Sequence, residues 1–482
     1  MSFSLSFFSE NEEVLLMFTF LIAAVHAFEP YSSSYTIRGS WRVPYTNLSN
    51  PILVATTPGR QYVSKYNGLE ETWTSLENEG IYRKRVVADD KVICFSYIEG
   101  VTPDWEFDIV TFLPSPDDFY LVGNKSVNGH HCEHWQRVEN TPKKQTWDFY
   151  IDSVTKQPIS YQMTAISIYS SHYDLYILDI DDYTPYVLPS YWNYPSLTEC
   201  STPIPVESVP LPPGPDKAKI KNDHIRRIRN SLGLRRNLRS KFQLKKSESE
   251  CTPYLGTSDY DPPKTFSWRN TTVVGPPRDQ VACGSCWAFG TAESLEGQLA
   301  LKTGLFRPIS VNQIVDCTWD AGNNGCDGGE SYLAFSSMSK SSLPLALEKD
   351  YPYIGVSGYC NRNVPPVARV VGCYEVAKST KVLKEALQKL GPVSIGINVP
   401  ESMLMYTGGA YYDAECTGTN SDLVHEVLLT GWTVIDGKEV WEVKNSWSTY
   451  WGDEGYIFIQ SEDQEHNCGV TTSAHIPIID LY

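Results

Sequence analysis

The first half of the chain alternates apolar and polar residues in short runs that are separated by polar turns. Such runs cover Tyr35–Trp41, Lys91–Tyr97, Trp105–Phe112, Thr146–Ile151 and Ser171–Ile180. A period of two residues is typical of strands that bury one face. Residues 28–185 are therefore predicted to form an antiparallel all-β domain, either a sandwich or an open barrel.

The second half, residues 251–482, has the pattern of helices followed by strands. Apolar residues recur at steps of four, three and four from Ala288 to Leu299, and Gly304 follows them, which predicts a helix that begins near Cys286. Further helices are predicted after the capping residue Ser310 and over Thr380–Leu390. Strands are predicted at Val393–Val399, Val427–Val434, Glu439–Lys444 and Gly455–Ile459. We therefore expect an α+β unit with a helical lobe, a β lobe and a cleft between them.

The chain starts with a segment that is typical of secretory signal peptides. Residues 14–25 form an apolar core and Val25–His26–Ala27 fits a small-residue cleavage site, so residues 1–27 are predicted to be a signal peptide. Acidic residues stand before this core where a basic residue is expected, and a buried apolar helix is the alternative. No other run approaches the roughly 18 apolar residues that span a bilayer, so no membrane span is expected.

Residues 186–250 have the composition of a connector. The first part is rich in proline, and residues 217–246 hold twelve Lys or Arg and one acid in a chain whose net charge is −17. A nucleic-acid-binding protein would carry such charge on a folded face, so no nucleic-acid partner is expected. Paired basic residues at Arg226–Arg227, Arg235–Arg236 and Lys245–Lys246 predict cleavage here, and the β domain is expected to stay associated as a second chain.

Twelve cysteines behind a secretory signal favour disulfides over thiols. Sequons at Asn47, Asn124 and Asn270 are consistent with glycosylation in the secretory pathway. Three histidines, at positions 130, 131 and 134, surround Cys132 and raise the question of a metal site. Pairing of Cys132 with Cys94 beside solvated histidines is the simpler interpretation, because no second ligand cluster has metal-site spacing. No metal and no cofactor is therefore predicted.

Cys286 stands where the predicted helix begins. At this position the helix dipole and the unpaired N–H groups favour the thiolate over the thiol. Cys283, three residues earlier, leaves a redox or metal pair open as an alternative. A cysteine nucleophile needs an imidazole and a group that orients the imidazole. His425 lies 139 residues and Asn445 lies 159 residues after Cys286, close to the spacing known for one class of cysteine peptidases.

Residues 262–482 resemble the papain family of cysteine peptidases. The matching stretches, in order, are Phe266–Arg269, Gln280–Phe289, Ile309–Cys317, Gly325–Gly329, Tyr351–Tyr353, Gly391–Ser394 and Lys444–Trp447, with Trp451–Gly452 behind them. The resemblance implies a two-lobed fold, with a helical lobe and a β-barrel lobe, that hydrolyses peptide bonds through a thioester acyl-enzyme. It makes Cys286 the nucleophile and His425 its ion-pair partner. Asn445 would orient the imidazole.

The same resemblance assigns roles to the residues around these three. Trp447 would shield Asn445 from water, and the side chain of Gln280 would donate to the oxyanion. Gly328 and Gly329 would pair through their backbone with an extended substrate. The implied disulfides are Cys283–Cys326, Cys317–Cys360 and Cys416–Cys468, which makes Cys283 structural. If Cys94 pairs with Cys132, three cysteines remain, namely Cys200, Cys251 and Cys373. Because three is an odd number, either at least one of them has no partner within the chain or the assumed pair is wrong.

The chain departs from the family pattern at three positions near the candidate site. Val281 and Ser448 stand where the family usually has glycine. Glu426 stands where a small residue normally follows the histidine, and Glu330 follows the glycine pair. We hypothesise that these two acids line the pocket for the second substrate side chain and favour a basic or polar one. The alternative is that Glu330 points to solvent.

The usual inhibitory propeptide helix of the family is not recognisable in the connector. The β-rich first half instead resembles the insect two-chain digestive or haemocyte cysteine proteinases. We therefore expect a secreted or lysosomal cysteine endopeptidase that acts on protein and peptide substrates and is made as a precursor. The alternatives are a catalytically inactive papain-fold binding protein, and a β domain that binds a small apolar ligand of its own.

Overall fold

The computed structural model describes residues 31–76, 81–88, 91–98, 112–114, 119–140, 145–166, 173–193, 201–205, 251–281, 283–461 and 465–482. The predicted signal peptide, nearly all of the strand predicted at Trp105–Phe112 and the basic part of the connector lie outside the described residues. Among the described residues, no helix is long and apolar enough to cross a membrane.

The described part of the first half forms one twelve-stranded sheet, which we call the N-terminal sheet. Its strands are β1 (Tyr35–Val43), β2 (Leu48–Thr57), β3 (Arg60–Lys65), β4 (Glu70–Ser75), β5 (Ile81–Ala88), β6 (Lys91–Ile98), β7 (Tyr120–Val127), β8 (His130–Glu139), β9 (Gln145–Asp152), β10 (Pro158–Ile166), β11 (Tyr173–Thr184) and β12 (Ser201–Pro205). They lie in the order β12-β6-β5-β4-β3-β2-β1-β11-β10-β9-β8-β7. Consecutive strands pair antiparallel from β1 to β6 and from β7 to β11, β1 pairs with β11 to join these two series, and β12 adds to β6 in parallel.

The alternating pattern places the apolar residues of the N-terminal sheet in its core. Val54 and Phe149 are completely buried, and Ile37 and Trp135 are nearly so, in one cluster contributed by strands from the middle and one end of the sheet. The strands that the structure describes form a single continuous sheet, so in this part of the chain they are not divided between two separate sheets.

The predicted disulfide Cys94–Cys132 is wrong. Cys132 keeps its thiol, whereas Cys94 is disulfide-bonded and so has a partner other than Cys132. The sheet order gives the physical reason, because eight strands lie between β6, which carries Cys94, and β8, which carries Cys132. His130 and His134, beside Cys132, contact the carboxylates of Asp152 and Asp148 at 3.0 and 2.6 Å.

The second half, residues 251–482, contains the helices and a second sheet. The helices are α1 (Cys286–Thr303), α2 (Val311–Cys317), α3 (Ser331–Ser341), α4 (Thr380–Leu390) and α5 (Glu401–Leu404). The strands are β13 (Thr252–Tyr254), β14 (Phe266–Ser267), β15 (Pro344–Leu345), β16 (Ala368–Val376), β17 (Val393–Ile397), β18 (Ala410–Tyr411), β19 (His425–Ile435), β20 (Lys438–Lys444), β21 (Tyr456–Gln460) and β22 (Ala474–Leu481). The main order of the sheet is β13-β16-β22-β17-β19-β20-β21-β18.

Local sequence explains where these helices begin and end. The hydroxyl of Ser310 accepts a hydrogen bond from Gln313 N–H at 3.0 Å and caps α2. Ser379 caps α4 in the same way, and α4 has the bounds that the sequence predicts. Gly304 ends α1 in the left-handed conformation, with φ of 72°, which glycine adopts without strain.

Two hydrophobic cores define two lobes. One core joins α1, α2 and α3, and the other lies around β17, β19 and β20. Helix α1 is buried along nearly its whole length and packs against β19 as well as α2, so its first turn lies where the lobes meet. The N-terminus of α1 is thereby brought next to the ends of the central strands.

Four disulfides hold the second half together. They are Cys251–Cys373, Cys283–Cys326, Cys317–Cys360 and Cys416–Cys468. The first of these accounts for two of the three cysteines that the sequence leaves over. It closes a loop of 122 residues and fastens the start of this half to β16.

Candidate active site

Cys286 is the first residue of α1 and is completely buried. The preceding loop is held by the Cys283–Cys326 disulfide and by Gly284 N–H, which donates to the carbonyl of Cys326 at 2.9 Å. Cys283 is therefore structural, and Cys286 carries a thiol rather than a disulfide. A thiol at the first turn of a helix lies in the field of the unpaired N–H groups, which favours its anion.

His425 opens β19, and Asn445 directly follows β20, the neighbouring strand. The antiparallel pairing brings their side chains together, with His425 Nε2 2.7 Å from Asn445 Oδ1. The ring of Trp447 stacks on the imidazole at 4.7 Å between centroids. All three residues are at least 99% buried, so the His425–Asn445 hydrogen bond is shielded from water.

The strand that carries His425 also touches Cys286. The backbone N–H of Glu426 donates to Cys286 Sγ at 3.4 Å. Among the described residues, Nδ1 of His425 is buried and has no hydrogen-bond partner, while Nε2 is committed to Asn445. The imidazole is thus fixed at one nitrogen and keeps the other for a proton.

Burial lowers the pKa of His425 to about 4, and its hydrogen bond to Asn445 offsets this only in part. A neutral imidazole can accept a proton from a thiol. Once the thiolate forms, its negative charge favours the imidazolium and works against the effect of burial.

Gln280 is completely buried and its side-chain amide is fixed at both ends. Its Nε2 donates to the carbonyl of Cys283 at 3.1 Å, and its Oε1 accepts from the hydroxyl of Ser446 at 2.7 Å. The backbone adds a further link, since Gln280 N–H donates to Ser446 carbonyl at 3.0 Å. The amide therefore has one defined orientation beside the N-terminus of α1.

Two of the departures from the family pattern have the same structural basis. Val281 has φ of 53° and Ser448 has φ of 69°, both in the left-handed region that favours glycine. A non-glycine residue there costs roughly 1–2 kcal/mol. Val281 buries its side chain in a cluster with Val43 and Tyr176, and this burial offsets the strain.

The third departure, Glu426, and the pocket candidate Glu330 are both buried acids. Glu330 is 4% exposed, so the alternative that it points to solvent is wrong. The carboxylate of Glu426 accepts from Ser394 Oγ at 2.7 Å and from Ser331 N–H, at the start of α3, at 3.0 Å. Burial, opposed by these hydrogen bonds and reinforced by the charge of Glu330, raises the pKa of Glu426 to about 7.

Gly328 and Gly329 lie directly before these acids. Gly328 has φ of 108°, and a Cβ on Gly329 would come within 2.7 Å of the Trp287 ring. Both positions therefore need glycine, and the backbone of this segment is not covered by side chains of its own.

A network of buried charges lies next to the site and was not anticipated from the sequence. Lys444, directly before Asn445, is 2.9 Å from Glu293, and Arg278 is 2.8 Å from Glu296. Burial raises the pKa of Glu296 to about 7, although Arg278 and Lys444 oppose this. The available signal was the presence of two acids on the apolar helix α1.

Residues 262–478 match the family described as papain family cysteine protease. The chain is 38% identical over 234 residues to a cathepsin L-like peptidase of Aedes aegypti, covering 48% of this chain and 68% of that protein. The chain belongs to the papain family of cysteine proteases. This membership makes it a peptidase, a hydrolase of the thiol-dependent class.

Other members of the papain family match the same half of the chain. Procathepsin L of Rattus norvegicus is 38% identical over 224 residues, covering 45% of this chain and 66% of that protein. Among solved structures, digestive procathepsin L 3 of the Tenebrio molitor larval midgut has 30% identity and a TM-score of 0.46, covering 52% of this chain and 77% of that one. The chain thus spans about two thirds of the length of these protein relatives.

Proposed function

We propose that this papain-family protein is a cysteine endopeptidase whose nucleophile is Cys286. The observation that supports this most is the arrangement of three buried groups at the lobe junction. Cys286 begins α1, Glu426 N–H contacts its sulfur, and His425 is held by Asn445 at 2.7 Å. An inactive binding protein would have no need for this set, because the buried polar groups cost stability.

In the proposed mechanism, His425 accepts the proton of Cys286 and the thiolate attacks the carbonyl carbon of the scissile bond. The oxyanion that forms accepts hydrogen bonds from the backbone N–H of Cys286 and the amide of Gln280. The imidazolium of His425 then protonates the leaving amine, and a thioester acyl-enzyme remains. Water, deprotonated by His425, hydrolyses this thioester and regenerates the thiol. Asn445 keeps the ring oriented in every step, and Trp447 keeps water away from that hydrogen bond.

Labelling with an epoxide inhibitor of cysteine peptidases tests this proposal. The processed protein is treated with the epoxide, and the modified peptide is located by mass spectrometry. We expect one adduct, on Cys286, and loss of peptide hydrolysis in proportion to labelling. Hydrolysis that persists after complete labelling, or an adduct elsewhere with loss of activity, would contradict the assignment.

We further propose that Glu426 and Glu330 help to form the pocket for the second substrate side chain, beside Gly328 and Gly329. Because the pKa of Glu426 is raised to about 7 by burial, its carboxyl is protonated at pH 5 and ionised at pH 8. Ionisation attracts a basic side chain by about 1 kcal/mol, or roughly fivefold. The preference for Arg over Leu at this substrate position is therefore expected to grow about fivefold from pH 5 to pH 8.

The measurement is the ratio of kcat/KM for paired Arg- and Leu-containing dipeptide substrates across this pH range. The ratio removes any pH effect that both substrates share, including that of His425. In the isosteric variant Glu426→Gln, which has no carboxyl group at this position, the roughly fivefold rise of the ratio from pH 5 to pH 8 should disappear. A clear and pH-independent Leu preference in the wild type would contradict the pocket assignment.

We also propose that the protein is a secreted or lysosomal precursor that is cut in the connector. Exposure of the sequon residues Asn47, Asn124 and Asn270 supports passage through the secretory pathway. After cleavage at the paired basic residues the N-terminal sheet is expected to stay bound as a second chain. The mature protein should give two bands on a reducing gel. In gel filtration under native conditions, the two polypeptides should elute together. A single full-length band would contradict processing.

A further inference from the structure

The N-terminal sheet is seated on the two loops that surround the candidate nucleophile. The first loop, residues 279–285, carries Gln280 and leads into Cys286, and the second, residues 325–330, carries the glycine pair. The Cys283–Cys326 disulfide joins the two loops. Whatever docks on both loops stands along one side of the candidate substrate cleft.

The first contact is apolar and centres on Val281. Its side chain is 4% exposed and packs against Val43, which is completely buried, and Tyr176. Val281 is β-branched and holds a left-handed conformation, where glycine would satisfy the loop without strain. The N-terminal sheet buries the side chain of Val281, and a glycine at this position would lose that contact.

The second contact is made by the turn between β1 and β2. The hydroxyl of Tyr45, in this turn, donates to the carboxylate of Asp279 in the first loop. The ring of Tyr45 also packs edge-on against Tyr450 at 5.9 Å between centroids. Both partners lie close to the candidate catalytic residues in sequence, Asp279 before Gln280 and Tyr450 after Trp447.

The third contact is an ion pair with the second loop. Lys84 of β5, with a side chain that is 8% exposed, lies 2.8 Å from Asp327, the residue before Gly328. Lys84 also lies 3.2 Å from Glu70, which Lys65 neutralises at 2.6 Å. A lysine this deeply buried between two carboxylates is fixed in position, so the sheet is held to the second loop as well as to the first.

From these three contacts we infer that the N-terminal sheet is a fixed wall of the substrate cleft, which admits extended peptide and excludes segments presented on a folded protein. The inference rests on the proposed peptidase function. An extended chain needs only the width of the cleft. A folded carrier protein must also avoid a steric clash with the N-terminal sheet, which contacts the loops at Asp279, Val281 and Asp327.

The experiment uses the processed two-chain protein and one cleavage sequence in two forms. The first form is a short fluorogenic peptide, and the second is an exposed loop of a folded carrier protein. Wild type is compared with Lys84→Met and Val43→Asp, which change only the N-terminal side of the interface. We expect each variant to raise kcat/KM for the carrier relative to the peptide by at least about fivefold, since either change loosens the wall.

Matched substitutions away from the interface serve as controls. Lys156→Met removes an exposed lysine that pairs with Glu133 within the sheet, and Val154→Asp changes a valine that is 87% exposed. Both should keep the wild-type ratio. Lys84→Met decides the matter if Val43→Asp disturbs the fold of the sheet, as judged by circular dichroism.

The outcomes separate the wall from other roles of the sheet. An unchanged carrier-to-peptide ratio in Lys84→Met overturns the inference. An equal rise for both substrates also overturns it, because the sheet would then block the site as a whole. Failure of the wild type to take the epoxide label would instead overturn the proposed peptidase function, and that measurement is independent of the ratio.

Discussion

Replacement of Cys286 by alanine is expected to lower kcat/KM for a dipeptide substrate by about 10⁴-fold or more. The reason is that no other thiol stands at the lobe junction among the described residues, since the one other described thiol, Cys132, lies in the N-terminal sheet. The positioned amide of Gln280 and the backbone N–H groups would remain, but they stabilise a charge that can no longer form. The measurement is hydrolysis of a fluorogenic dipeptide by the processed protein.

The matched control is Cys132→Ala. Cys132 is also a completely buried thiol, so its removal makes a comparable change in the interior without touching the candidate site. It should leave kcat/KM within about twofold of wild type, because its site is structural. Thermal unfolding of both variants separates loss of chemistry from loss of fold. Comparable losses of activity in both, or retained activity in Cys286→Ala, would contradict the assigned nucleophile.

The second large effect concerns stability and involves Lys444. Its side chain is 1% exposed and neutralises Glu293, which is 2% exposed, at 2.9 Å. Lys444→Met keeps the length of the side chain but leaves Glu293 and Glu296 with Arg278 as their remaining cation. Breaking a buried pair on one side costs about 3–5 kcal/mol. For a unit of this size that corresponds to a fall in Tm of roughly 10 °C.

The control for this prediction is Lys349→Met. Lys349 pairs with Asp350 at 2.8 Å, but its side chain is 72% exposed, so water screens the interaction. Its loss should change stability by no more than about 0.5 kcal/mol. Differential scanning calorimetry of the two variants gives the comparison. If the Tm of Lys444→Met stays as close to wild type as that of Lys349→Met, the buried network does not carry the stability assigned to it.

Short-range features of the fold were predictable from the sequence. The start of α1 at Cys286, its glycine end and the bounds of α4 follow from apolar periodicity and capping residues, which act within a few positions. The strand predicted at Val427–Val434 lies within β19, which begins two residues earlier at His425. These elements needed no knowledge of what they pack against.

Features that depend on distant strands were not predictable in this way. The predicted pairing of Cys94 with Cys132 is wrong because the order of strands in the sheet does not follow their order in the chain. The Cys251–Cys373 disulfide joins residues 122 positions apart, and no local pattern predicts it. The contact of Lys84 with Asp327 joins residues 243 positions apart, and no local pattern marks either one. The motifs in the sequence predicted which residues form the candidate site. Only the tertiary structure shows which distant residues pack around them.

The buried ion pair between Glu293 and Lys444 also bears on motion. Glu293 belongs to α1 of the helical lobe and Lys444 to β20 of the other, so the pair ties the two lobes together beside Cys286 and Asn445. A hinge that opened the lobes would have to separate two charges in a medium without water, which is far more costly than sliding surface loops. The cleft is therefore expected to keep a fixed width. Substrate is expected to bind in this preformed groove, with no opening and closing of the lobes in each turnover.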